Sequence, residues 1–136
     1  MASKALDTPL AHLEIVDGIL IVRYKHGISV NYEVAKQLIQ MRLSFCENIS
    51  YPVLIIDEGV LSMDKKARDL FSSKEGTVNI IASALVLNTV YSKVIGNFFL
   101  KVTRPHIPVK IFNDITLALE WLEQFKGRTN PVLSKS

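Results

Sequence analysis

The chain has 136 residues, of which 49% are hydrophobic, and a formal net charge of +3. This length and composition predict one globular domain, and no apolar run approaches the ~18 residues that a transmembrane helix needs. The first residues carry an early acid and lack the apolar segment of a secretory signal. We therefore expect a soluble protein of the reducing cytoplasm.

The excess positive charge is located at the end of the sequence. Lys126, Arg128 and Lys135 lie in the last eleven residues, which contain no acid, and the remainder holds 13 basic and 13 acidic residues. We expect residues 1–126 to form a single domain and residues 127–136 a flexible basic tail. Because a neutral domain matches a phosphate backbone poorly, no nucleic-acid partner is expected.

Cysteine and histidine are too scarce for a disulfide or a zinc site. Cys46 is the single cysteine, and the three histidines are scattered. Cys46 falls on a predicted apolar helix, which favours a buried thiol over a nucleophile. The spacing motifs of P-loop proteins, dinucleotide-binding enzymes, serine hydrolases and zinc proteases are absent from the sequence. The sequence therefore predicts no catalytic residues, no cofactor and no metal.

The first part of the chain predicts a hairpin followed by a helix. Asp17-Gly18 is a two-residue turn signal between a strand near Leu13 to Ile15, expected at the sheet edge, and an interior strand at Ile19 to Val22. Asn31 is the expected N-cap of a helix from about residue 32 to 47. Its apolar stripe predicts packing against a sheet.

The central segment predicts a strand covered on both faces. Val53 to Ile56 are apolar and are followed by Asp57 and Glu58, which we expect to be solvated loop acids at the strand's carboxyl end. Adjacent carboxylates could begin an acid/base or Mg²⁺ site, but no second cluster converges on them. Ser62 is the expected N-cap of the short helix that follows.

The last third predicts strand, helix, strand and helix in turn. A strand is expected at residues 83–88, a broad apolar helix at about 90–100, a strand at 109–112 capped by Asn113 or Asp114, and a final amphipathic helix closed by Gly127. Strands alternating with helices favour a mostly parallel sheet. The predicted fold is α/β, with a five-stranded mixed sheet, an N-terminal antiparallel hairpin strand and about four helices.

Several segments together carry a family resemblance. In order they are Pro52 to Asp57, Ser62 to Arg68, Ile95 to Lys101, Arg104-Pro105, Pro108 to Phe112 and Ala118 to Leu122. They resemble a bacterial family of small uncharacterised proteins with a SpoIIAA-like fold, near the STAS domains of anti-sigma factor antagonists and, more distantly, the Sec14-like lipid-binding fold. The resemblance implies a first strand that pairs antiparallel beside a parallel core.

The antagonists switch by phosphorylation of a serine in a Met-Asp-Ser-Ser-Gly context, and this sequence departs from that pattern. The matching stretch is Met63-Asp64-Lys65-Lys66-Ala67. Lysines occupy both serine positions, so the phosphoswitch is not carried over. Ser62 survives nearby, where a helix cap is the simpler role.

Two functions stay open on the sequence. One is a non-enzymatic regulatory module that binds a protein partner or itself, with a homodimer expected, through a surface of Glu58, Ser62, Asp64, Lys65, Lys66 and Arg68. The other is a carrier of a lipid or small apolar ligand, or a membrane-facing surface. Its candidate residues are Tyr91, Lys93, Phe98, Phe99, Lys101, Arg104 and His106.

Overall fold

A computed structural model of the chain describes residues 4–86 and 106–127. Within these ranges it contains eight strands and three helices. In chain order they are β1 (Lys4–Asp7), β2 (Ala11–Val16), β3 (Ile19–Tyr24), β4 (Ser29–Val30), α1 (Tyr32–Phe45), β5 (Tyr51–Asp57), β6 (Ser62–Met63), α2 (Lys65–Ser72), β7 (Ile80–Val86), β8 (Val109–Phe112) and α3 (Ile115–Glu123).

The main sheet has the strand order β1-β2-β3-β5-β7-β8. β1, β2 and β3 pair antiparallel, whereas β5 pairs parallel with β3 and β7, and β7 pairs parallel with β8. The mixed α/β fold with an antiparallel N-terminal hairpin is therefore confirmed. Asp17 and Gly18 both adopt positive φ, at 50° and 78°, in the predicted hairpin turn.

The described residues contribute six strands to the main sheet, so the prediction of five was wrong, and the predicted edge strand β2 lies inside the sheet. The added edge strand is β1, whose four residues are all exposed. β1 is held by its pairing with β2 and by a 2.6 Å hydrogen bond from Lys4 Nζ to the Phe45 carbonyl. Because sequence patterns identify strands by buried apolar residues, an exposed edge strand gives little signal.

The central strand β5 is sandwiched as predicted. Val53 and Ile55 belong to a core cluster with α1 and α2, whereas Leu54 and Ile56 belong to a second cluster with α3. All four are buried. The alternation places two separate hydrophobic layers on the two faces of one sheet.

The helix α1 begins where the sequence predicts. The Asn31 side chain accepts a 2.9 Å hydrogen bond from the Val34 N–H, which confirms the predicted N-cap. The helix ends at Phe45, and Cys46 is buried, as expected.

A corner between β5 and α2 differs from the prediction at Ser62. Ser62 lies in β6, which pairs parallel with β4, and its side chain is exposed. The N-cap of α2 is Asp64, whose carboxylate accepts a 2.9 Å hydrogen bond from the Ala67 N–H. The two-stranded ladder extends the chain by two residues before the helix begins, so the cap moves from Ser62 to Asp64.

The last strand and the start of the last helix follow the prediction, but the predicted C-cap at Gly127 was wrong, because the helix ends at Glu123 with Gln124 as its C-cap. β8 spans the predicted residues, and Asp114 is the N-cap of α3, accepting a 3.1 Å bond from Leu117 N–H. Trp121 packs between Phe112 and Phe125, with ring centroids 5.8 and 4.9 Å away. The predicted helix at 90–100 lies outside the described residues, as does most of the predicted tail.

In the loop between α2 and β7, the surroundings of Gly76 leave no space for a side chain. A Cβ at Gly76 would overlap the Leu70 carbonyl oxygen and lie 2.7 Å from that of Phe71. Because both atoms belong to the backbone, neither can move aside cheaply. We predict that Gly76→Ala lowers the free energy of unfolding by about 1–3 kcal/mol in urea denaturation.

The neighbouring Glu75→Ala provides the control for this change. Glu75 is exposed, so its truncation is expected to alter the unfolding free energy by less than about 0.5 kcal/mol. Equal stabilities for the two variants would contradict the packing of this loop.

Candidate functional site

A cavity of about 70 Å³ lies between the sheet and the helices α1 and α2. Most of its wall is apolar, and a few polar side chains enter it. Its lining residues are Ala11, Leu13, Val22, Tyr24, Leu38, Ile39, Arg42, Val53, Ile55, Phe71, Ser72, Gly76, Thr77, Ile80, Ser83, His106, Ile107 and Val109.

Arg42 is the buried charged residue in this wall. It lies on the inner face of α1, four residues after Leu38, and is 8% exposed. Its Nη1 donates a 2.6 Å hydrogen bond to the Val78 carbonyl, and its Nη2 donates a 3.0 Å bond to the Gly76 carbonyl. The guanidinium therefore connects α1 to the loop between α2 and β7.

Within the described part of the chain, the charge of Arg42 has no carboxylate beside it. Among residues 4–86 and 106–127, no Asp or Glu lies within ion-pair distance of the guanidinium. Desolvation lowers the Arg42 pKa, and the nearby groups that oppose this are Tyr24 and Cys46, both neutral in their protonated forms. Arginine stays protonated in proteins, so the cavity wall carries a positive charge at pH 7.

Two hydroxyl groups in the wall are available for hydrogen bonding. Neither Tyr24 nor Ser83 makes a side-chain hydrogen bond to another of the described residues. Burial raises the pKa of Tyr24 to about 12, with Arg42 lowering it and Asp57 raising it by smaller amounts. The Tyr24 phenol is therefore a protonated hydrogen-bond donor at neutral pH.

Asp57 is buried, which corrects the prediction of a solvated loop acid. The residue is 1% exposed, and its Oδ1 accepts hydrogen bonds from the N–H groups of Gly59, at 2.9 Å, and Val60, at 2.8 Å. These bonds form a turn that ends β5, which explains why burial is tolerated. Glu58 is exposed, as expected.

The residues predicted as an interaction surface lie around the corner formed by β6 and the start of α2. Lys65 pairs with Asp69 at 2.9 Å, and Arg68 Nη1 donates to the Met63 carbonyl at 3.1 Å. The exposed members of this set are Glu58, Ser62, Asp64, Lys65 and Lys66. Leu61 lies beside them and is 48% exposed.

The second predicted surface lies mostly outside the described residues. Tyr91, Lys93, Phe98, Phe99, Lys101 and Arg104 belong to this part. His106 is described: it is exposed and lines the cavity, so the cavity reaches the protein surface there.

Sequence reasoning missed Arg42 and Tyr24. The available signal was position: Arg42 follows Leu38 and Ile39 at helical spacing, so it shares their buried face. A charged residue on such a face usually extends to solvent. The carbonyls that hold Arg42 inside lie in a loop more than 30 residues away, which the sequence pattern does not reveal.

Two further features are absent from the described residues. No group of three or more His, Cys, Asp or Glu side chains among them is arranged to hold a metal ion. None of the helices in these ranges is long and apolar enough to cross a membrane.

Comparison with solved structures identifies the class of fold. The chain is similar to an uncharacterized protein of the DUF3478 family with a SpoIIAA-like fold from Shewanella loihica PV-4, with a TM-score of 0.54 and 17% sequence identity. The similarity covers 90% of this chain and 96% of that one. This is therefore a SpoIIAA-like α/β domain, as the resemblance in the sequence implied.

The family follows from the sequence match. Residues 13–126 match the family described as Domain of unknown function (DUF7793), and the chain belongs to this family. A search of curated proteins gave no match.

The raised pKa of Tyr24 predicts a loss of stability at alkaline pH. The unfolded chain releases the phenol proton near pH 10.0, whereas the folded protein holds it up to about pH 12. Stability should therefore be unaffected by this group below pH 10 and fall between pH 10 and 12, by at most ~1.4 kcal/mol per pH unit.

Urea unfolding across this pH range measures the effect. Tyr24→Phe should reduce the alkaline decrease, because it removes the titrating phenol. An identical decrease in wild type and Tyr24→Phe would show that the Tyr24 phenol is not desolvated.

Proposed function

We propose that this domain is a non-enzymatic module that binds a small molecule in the cavity between the sheet and the helices α1 and α2. The observation that carries the proposal is the composition of the cavity wall. Side chains from β2, β3, β5 and β7 supply an apolar surface, and Arg42, Tyr24 and Ser83 place polar groups in it. Ligand sites in proteins share this combination of an apolar concave wall with a few polar groups.

The cavity volume restricts the size of the ligand. A volume of about 70 Å³ accommodates on the order of five water-sized groups, which corresponds to a compound of roughly five to seven non-hydrogen atoms. Drug-sized ligands occupy sites of a few hundred Å³ or more. The geometry therefore favours a small metabolite over the long acyl chain of a lipid.

Three compounds with one branched alkyl group and different head groups test this function. Isovalerate is anionic, isovaleramide is neutral and isopentylammonium is cationic, and each has the required size. We expect at least one to bind at millimolar concentration, detected by ligand-observed NMR and by an increase in Tm.

A variant that fills the cavity connects binding to this site. Ser83 is buried in the wall, so Ser83→Leu places a larger side chain in the cavity and should abolish binding. Ser44→Leu makes the same change at an exposed position of α1 and should leave binding intact. Binding of none of the three compounds to the wild type, or equal binding to Ser83→Leu, would contradict the proposed function.

A second function, self-association, is favoured by the corner around Leu61. The ladder between β4 and β6 fixes the backbone beside Leu61, which is 48% exposed. Asp64, Lys65 and Lys66 follow Leu61 by three to five residues in sequence, and all three are exposed. A patch that carries an apolar centre and charges of both signs can be complementary to itself across a two-fold axis. We propose it as the contact of a homodimer.

Sedimentation velocity over a range of concentrations tests the dimer. Leu61→Asp should shift the equilibrium to the monomer by at least about tenfold, because a charge replaces the apolar centre. Leu117→Asp, at a similarly exposed leucine of α3, is the matched control and should have little effect. A wild-type monomer at all concentrations, or equal effects of both variants, would refute the contact.

A further inference from the structure

We propose that the ligand of the cavity is a small monocarboxylate with a short branched or cyclic apolar body, whose carboxylate group binds the Arg42 guanidinium. This inference rests on the proposed function and specifies its ligand class. The observations behind it are the burial of Arg42, the chemistry of its neighbours and the shape of the remaining wall.

The first observation is a buried positive charge. Arg42 is 8% exposed, and among the described ranges 4–86 and 106–127 no carboxylate forms an ion pair with it. A buried charge is costly unless it is paired. The carbonyls of Gly76 and Val78 accept hydrogen bonds but bring no negative charge, so an anion in the cavity would supply the missing compensation.

The second observation is the number of hydrogen-bond donors. A guanidinium has five N–H donors, and the two carbonyl contacts use one donor on each of Nη1 and Nη2. A carboxylate accepts two parallel N–H bonds from such a group in a charge-assisted pair. The hydroxyls of Tyr24 and Ser83 lie in the same wall and can donate to the remaining carboxylate lone pairs.

The charges near Arg42 discriminate against other head groups. The guanidinium repels a cation, and a neutral amide gives no compensation for its charge. Asp57, the buried acid that raises the Tyr24 pKa, has Oδ1 engaged by the N–H groups of Gly59 and Val60. A phosphate dianion carries two charges and no apolar body, so the apolar wall disfavours it.

The third observation is the surface left for the ligand body. Val22, Val53 and Ile55 present branched side chains from three adjacent positions across β3 and β5. A compact branched body makes more contacts with such a wall than a linear chain does. The roughly five to seven non-hydrogen atoms that the volume allows include the three of the carboxylate group, so the body has about two to four carbons.

Calorimetric titration of the wild-type protein at pH 7 with the three matched compounds tests the ligand class. Isovalerate should bind at least about tenfold more tightly than isovaleramide, because a hydrogen bond to a charged partner contributes more than a neutral one. Isopentylammonium and inorganic phosphate should bind more weakly still. Equal affinities for isovalerate and isovaleramide would overturn the inference and leave the proposed function standing, whereas no binding by any compound would overturn both.

Two arginine variants test whether Arg42 causes the preference for isovalerate over isovaleramide. Arg42→Met keeps much of the side-chain volume without the charge, and should bind isovalerate and isovaleramide equally. Arg23→Met removes a partly exposed arginine of β3 and should keep the wild-type ratio. If the folded Arg42→Met protein retains the preference for isovalerate, the head group binds elsewhere and the inference is wrong.

A further variant covers the case in which Arg42→Met does not fold, since it loses two bonds to the loop between α2 and β7. Tyr24→Phe keeps both bonds of Arg42 and removes one donor from the cavity wall. Tyr24→Phe should lower the affinity for isovalerate severalfold and the affinity for isovaleramide by a smaller factor. If Tyr24→Phe keeps the wild-type ratio of the two affinities, the carboxylate does not bind beside Tyr24 and Arg42, and the inference is wrong.

Discussion

The burial of one guanidinium over the sheet is the constraint on which the site depends. Arg42 extends inward from α1 and donates to the carbonyls of Gly76 and Val78, so the position of the α2–β7 loop is set by a charged group. Gly76 is part of the same constraint, because its backbone passes too close to Leu70 and Phe71 for any side chain. Helix, loop and sheet then enclose a space that the apolar side chains leave open.

The rest of the fold supplies a rigid base for this arrangement. β5 is buried on both faces, with one hydrophobic layer facing α1 and α2 and the other facing α3. Such a strand fixes the register of its neighbours, since a shift by one residue would exchange the two layers. The parallel pairing of β3, β5 and β7 therefore places Tyr24, at the end of β3, and Ser83, within β7, at defined positions in the wall of the cavity.

The sequence predicted those features that depend on local patterns of apolar and capping residues. The hairpin turn at Asp17-Gly18, the Asn31 cap and the covered strand at 53–56 follow from such patterns, and the structure confirms them. The β1 strand was missed because its residues are exposed and it is held by pairing with β2 and by the Lys4 hydrogen bond to the Phe45 carbonyl, which leave no apolar pattern in the sequence. Ser62 was taken as a cap because the short β4–β6 ladder depends on pairing between distant segments.

The candidate site was less predictable for the same physical reason. Asp57 stays buried through backbone N–H donors that only the folded turn supplies. In the sequence, Arg42 cannot be distinguished from an exposed helical arginine. What holds it inside the protein is a pair of loop carbonyls that lie 34 and 36 residues further along the chain. The likeness to a SpoIIAA-like protein at 17% identity shows the fold, whereas the ligand proposal rests on the cavity itself.

Nuclear magnetic resonance of the arginine side chains tests the central claim most directly. The account predicts that the guanidinium N–H signals of Arg42 shift on titration with isovalerate and saturate, while those of the partly exposed Arg23 stay nearly constant. Equal small shifts at both residues, or shifts that do not saturate, would contradict a carboxylate site at the buried guanidinium.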